Sequence, residues 1–120
     1  MIKIDYSKQG EKRITVETKA SILYFDVERI KYIICDGRYC NVYFINKSER
    51  RVRRPLKFFA QNLEKVGFFH ANRNTLVNIR YIEDAQFSNT KRTLHIEATK
   101  TEPIIVSRRK VSVFKKISKL

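Results

Sequence analysis

The chain is poor in residues that punctuate or staple a fold: three glycines, two prolines, two cysteines and no tryptophan in 120 residues. So little glycine and proline excludes a collagen-like repeat and leaves no composition for a long flexible linker. Cys35 and Cys40 are too few to staple a small secreted scaffold, and nothing reads as an export signal, so both are expected as reduced thiols. No apolar run is long enough to cross a bilayer, and Met1-Ile2-Lys3-Ile4-Asp5 lacks the apolar block of a signal peptide. The expectation is a soluble, cytoplasmic protein with no membrane partner, long enough for one domain with a modest core.

Catalytic equipment is also missing. There is no glycine-rich phosphate loop, no His-Glu-x-x-His and no nucleophile elbow. His70 and His95 stand apart from carboxylates in sequence, and His95, between Leu94 and Ile96, reads as the outer face of a strand. Together with Cys35 and Cys40 they match no common zinc spacing. The cysteines read as small apolar strand residues, with a redox role left open by nearby Arg38. The chain is therefore read as a non-enzyme, without cofactor or metal.

What it has in abundance is positive charge. Twenty-six lysines and arginines oppose twelve acids, a formal charge of +14. Residues 1–30 carry six basic against five acidic side chains, residues 31–120 twenty against seven, and no acid lies between Ser107 and Leu120. Each phosphate neutralised by such a surface releases counterions, so a polyanion is the expected partner.

Ile14-Thr15-Val16-Glu17-Thr18 alternates as a half-buried strand does, and 22–25 follows as a short apolar run. Residues 27–35 and 39–45 flank Asp36-Gly37, a strong hairpin signal. Residues 50–54 read as a cationic edge strand. Pro55 opens a helix in which Leu56, Phe59, Ala60 and Leu63 recur at three- and four-residue spacing until Gly67. Short β segments are expected at 75–77, 81–88, 93–98 and 104–106. Ser107 is expected to cap a final helix whose Val111, Phe114 and Ile117 share a face.

Residues 67–82 are the most informative stretch. Phe68 and Phe69 on one side and Leu76, Val77, Ile79 and Ile82 on the other are apolar anchors around Asn72-Arg73-Asn74, as when a rigid core holds out a reading loop. Arg and Asn pair bidentately with guanine and adenine edges. A turn with a solvated arginine and asparagines at left-handed angles is the competing reading. Two further segments suit nucleic acid: Asp36-Gly37-Arg38-Tyr39 sets a cation beside an aromatic ring, and Ile105-Val106-Ser107-Arg108-Arg109-Lys110 joins a strand to a helix start, where N–H groups and a guanidinium can meet one phosphate or base edge. For both, an ordinary turn or a capped helix with solvated charges stays open.

In order and spacing these segments resemble the LytTR family of bacterial DNA-binding domains, from about Ile22 to Leu120. The likeness lies in the Gly-Phe-Phe run, the arginine and Leu-Val-Asn of residues 67–78, a tip similar to Glu-Gly-Asn-Tyr, and the Val-Ser-Arg-Arg segment. Asn72 and Asn74 stand where the family usually shows His and Ser. The resemblance implies a mainly β, elongated, multi-stranded fold with one short internal helix and a short C-terminal helix. Residues 22–120 are then the DNA-binding domain and residues 1–21 an N-terminal extension, expected as an extra strand. The expected DNA-binding residues are Arg38, Tyr39, Asn72, Arg73, Asn74, Ser107, Arg108 and Arg109, with Arg73 and Arg108 reading bases. Lys115 and the other cations around the tips add a positive field.

The function expected from this likeness is sequence-specific binding of double-stranded DNA for transcription regulation, with loops entering successive major grooves. The chain is read either as a fragment of a two-component response regulator or as a stand-alone regulator. A second copy on paired repeat sites and a receiver domain or sensor outside the chain are the further partners. The alternative is an RNA-binding accessory protein in which Tyr32, Tyr39, Tyr43 or Phe44 on an open sheet stack unpaired bases. Burial of those aromatics would remove that platform.

Overall fold

The central sheet is apolar on both faces, and this dictates the architecture. A computed structural model describes residues 3–97 and 103–118. Strands β1 (Ile4–Tyr6), β2 (Lys12–Glu17) and β3 (Ile22–Asp26) form a first antiparallel sheet in chain order. Next come β4 (Ile30–Asp36), β5 (Tyr39–Phe44), β6 (Glu49–Val52), helix α1 (Leu56–Leu63), β7 (Phe68–Asn72) and β8 (Thr75–Asn78). Their strands make an antiparallel five-stranded sheet in the order β6-β5-β4-β8-β7. A third sheet combines β9 (Ile82–Phe87), β10 (Arg92–Ile96) and β11 (Ile104–Ile105), and α2 (Arg108–Ile117) follows.

One core joins Ile33, Val42, Phe68 and Leu76 of the central sheet to Phe59 and Leu63 of α1 and to Ile14, Val16 and Phe25 of the first sheet. A second core joins Tyr32, Phe69, Ala71 and Val77 to Leu94, Ile96, Ile104 and Phe114. Stacking layers through two cores gives an elongated body of 46 × 31 × 28 Å. Alternation in β2 sends Ile14 and Val16 inward, fully buried, so the strands ahead of Ile22 pack into the same core as α1. No helix among the described residues is long and apolar enough to cross a membrane.

Leu76-Val77-Asn78 shows how local sequence serves both layers. Leu76 enters the first core and Val77 the second. Buried Asn78 donates from Nδ2 to the Ile30 carbonyl at 2.9 Å and accepts from the Arg80 N–H at 3.1 Å, tying β4 to the turn after β8. Gly67 closes the α1 segment at φ +100°, a left-handed angle suited to glycine.

Three expectations change. The polar stretch expected as a loop at 72–74 is shorter: β7 takes in Asn72 and runs antiparallel to β8, which leaves only Arg73-Asn74 between the two strands. Ser107 occupies the N-cap position of α2, but its hydroxyl makes no capping bond. Cys35 and Cys40, expected as separate reduced thiols, are directly opposite on β4 and β5 and joined by a disulfide. Strand register brought them together, which their five-residue separation alone does not specify. The expected strand end at Ala98 lies outside the described residues.

Candidate nucleic-acid interface

The three segments singled out in the sequence meet at one end of the central sheet. Ile34 of β4 pairs with Thr75 of β8, which brings the β4–β5 tip beside the β7–β8 turn. The Cys35 amide donates to the Asn74 carbonyl at 2.8 Å. Beyond the turn, Asn72 Nδ2 donates to the Ile105 carbonyl at 2.7 Å and the Ser107 N–H donates to the Ala71 carbonyl at 2.9 Å. A continuous backbone and side-chain network therefore runs from the hairpin tip, through the turn, to the start of α2.

At the tip, Asp36 pairs with Tyr39 and leaves Gly37-Arg38 as a two-residue turn. Gly37 has φ +58° while Arg38 stays at negative φ, the pattern of a II′ hairpin turn with glycine first. Arg51 of the neighbouring β6 is spoken for: it pairs with Asp36 at 3.0 Å, donates to Asn41 at 3.3 Å and covers the Tyr39 ring at 4.6 Å. This neutralises the tip's carboxylate and leaves Arg38 exposed, with no ion pair among the described residues. Arg54 of the same basic cluster is held by the Glu17 carbonyl. Thus the run 50–54 is not one uniform cationic surface.

Arg73 and Asn74 are exposed and neither takes a left-handed angle. The turn is held instead by Asn72, whose Oδ1 accepts the Asn74 N–H at 2.9 Å, and an irregularity between His70 and Asn72 accommodates it in the ladder. Both ends of the Asn72 amide are consequently engaged within the protein. At the third segment Arg92 Nε donates to the Val106 carbonyl at 2.9 Å, fixing the chain just ahead of Ser107. Arg108, Arg109 and Lys115 are exposed. Arg108 and Lys115 share a helix face seven residues apart, with Lys115 5.7 Å from the Phe87 ring. Neither Arg73 nor Arg108 is in an ion pair among the described residues.

Pairing and burial dispose of other arrangements. Tyr32 is buried and stacks on half-buried Tyr43 at 4.6 Å, while Phe44 packs edge-on against Phe25 at 5.4 Å. With Tyr39 under Arg51, these rings do not form an open stacking platform. His95 pairs across strands with Asp84, Nδ1 to Oδ1 at 2.6 Å, and His70 lies 3.4 Å from Glu64. The four residues weighed as zinc ligands are thereby committed to separate partners. The His70 pKa lies below the usual 6.5 because burial and Lys110 outweigh the pull of Glu64.

The functional connections that sequence reading missed are those of Asn72, Arg51 and Arg92. Their signal is tertiary, since each bonds a residue at least ten positions away.

Comparison with known proteins agrees with this architecture. The family model of the LytTr DNA-binding domain matches residues 20–119. A solved LytTr DNA-binding domain from Bacillus cereus superposes with a TM-score of 0.70 at 18% identity, covering 90% of this chain and 97% of the other, a likeness that speaks for the fold. Among curated proteins no sequence matches. The match over five-sixths of the sequence, on a mainly β body with two short helices, places the chain in the LytTr DNA-binding domain family.

Proposed function

We propose that the chain regulates transcription by sequence-specific binding of double-stranded DNA, in the cytoplasm, with the turns at 36–39 and 73–74 and the start of α2 entering successive major grooves. The observation that carries this reading is the joining of three segments at one end of the sheet while Arg73 and Arg108 stay exposed and unpaired among the described residues. Arg73 and Arg108 read bases. Arg38, Tyr39 and Asn74 contact the target from the adjoining tips, Ser107 and Arg109 with the first N–H groups of α2 hold phosphate, and Lys115 meets the backbone two helical turns along. Paired repeats would seat a second copy, and a receiver domain or sensor would supply the input signal.

Asn72 takes a different role from the one the family likeness implied. With Oδ1 on the Asn74 N–H and Nδ2 on the Ile105 carbonyl, it positions Arg73 relative to Arg108 rather than reading a base itself. Asn72→Ala should weaken the selected duplex by about 1–2 kcal/mol, the scale of two lost hydrogen bonds. In an Arg73→Ala background its effect should shrink, because part of what it positions is gone. An unchanged effect would make Asn72 a direct reader.

Selection of bound duplexes from a randomised pool at about 150 mM salt, with structured and single-stranded RNA as competitors, tests the function itself. Emergence of one duplex motif is the expected outcome. RNA outcompeting every duplex would refute it.

A further inference from the structure

We propose that Cys35 and Cys40 are a redox-modification site, interconverted by thiol–disulfide exchange with low-molecular-weight thiols, that sets how tightly the face at 36–39 and 73–74 holds its target. The inference rests on the DNA-binding role proposed for that face. Its basis is placement. The two cysteines are opposite one another where β4 and β5 end, so the bond closes a ring around Gly37 and Arg38. The Cys35 amide is turned toward Asn74, which makes the pair non-hydrogen-bonded across β4 and β5 and brings the Cα atoms to 4.0 Å. One residue thus belongs at once to the disulfide, the base of the Arg38 tip and the backbone contact to the Arg73 turn.

Where regulators meet DNA, thiol pools are reducing, and a disulfide in such a compartment is a transient, responsive bond more often than a permanent staple. In the reducing direction a monothiolate attacks one sulfur to form a mixed disulfide. That attack frees one cysteine thiolate, and a second monothiolate then attacks the monothiol sulfur of the mixed disulfide and releases the other cysteine, so one protein disulfide and two monothiols give two cysteine thiols and one monothiol disulfide, each cysteine gaining one electron and one proton. Cys40 is fully buried and Cys35 nearly so, and exchange therefore proceeds through opening of the hairpin end on its β5 side, which is covered by the four-residue edge strand β6.

Breaking the bond moves the sulfurs from about 2 Å to van der Waals separation, about 3.7 Å. They sit in the packed core with Ile33, Val42 and Val52, which has little free space to absorb the change. The displacement passes to the ends of β4 and β5 and to the Asn74 contact. Reading groups have to be held within about 0.5 Å, so the disulfide form is the tighter specific binder.

The test equilibrates the full chain in defined ratios of reduced and oxidised glutathione, counts free thiols by alkylation and mass, and measures affinity for the selected duplex and a scrambled one. The disulfide form should bind the selected duplex about tenfold more tightly, the scale of part of one base contact, with the scrambled duplex unchanged. Cys35→Ala/Cys40→Ala should select the same motif without redox dependence; Cys35→Ser, which cannot close the intramolecular bond, is the second variant should the first fail to fold. Equal affinity of the two states, tighter binding by the dithiol, or absence of the disulfide at every ratio would overturn the proposal. If both states form and neither selects a duplex, the DNA reading falls and the coupling with it, whereas selection without redox dependence removes the coupling alone.

Discussion

Alanine at Arg73 or at Arg108 is expected to weaken binding to the selected duplex by about 1–3 kcal/mol in each case while leaving random duplex nearly unchanged. Both side chains are exposed and make no ion pair among the described residues, so their removal breaks no internal bond. Folding stability should accordingly change by less than about 0.5 kcal/mol. Affinity titrations against selected and scrambled duplexes, with urea unfolding alongside, separate the two effects. Equal losses on both duplexes would make the arginines phosphate clamps and move base reading elsewhere on the face.

The second large effect lies in the first core, away from the interface. Phe59→Ala is expected to destabilise the fold by about 3–5 kcal/mol, a large share of the 5–15 kcal/mol typical of a domain. Phe59 is fully buried, packs edge-on against Phe58 at 5.1 Å, and belongs to the core that joins α1 to the central and first sheets. Denaturant unfolding monitored by circular dichroism reads the loss as a lower midpoint with a similar slope. A change below about 1 kcal/mol would contradict the packing described for α1.

The contrast between these sites explains what was legible in the sequence. Alternation marked β2, three- and four-residue spacing marked α1, and Asp36-Gly37 marked the first hairpin. Strand β7 left no such trace because its consecutive phenylalanines serve different layers, Phe68 the first core and Phe69 the second. Every residue of β8 is buried for the same reason, which erases the two-residue period. At the interface, Arg73 and Arg108 stood out by residue type and family spacing. Asn72 as a brace, Arg51 as the partner of Asp36, and the joining of Cys35 to Cys40 depend on register and on contacts between distant elements, which composition does not encode.

On the proposed reading, the tip, the turn and the start of α2 act together on one duplex. Backbone amide shifts of the 15N-labelled chain, followed while the selected duplex is added, test it most directly. The largest changes are expected at Arg38, Tyr39, Arg73, Asn74, Ser107 and Arg108, with Ile22 and Tyr24 of the first sheet unaffected. Changes centred on β1–β3, with those six positions silent, would contradict it.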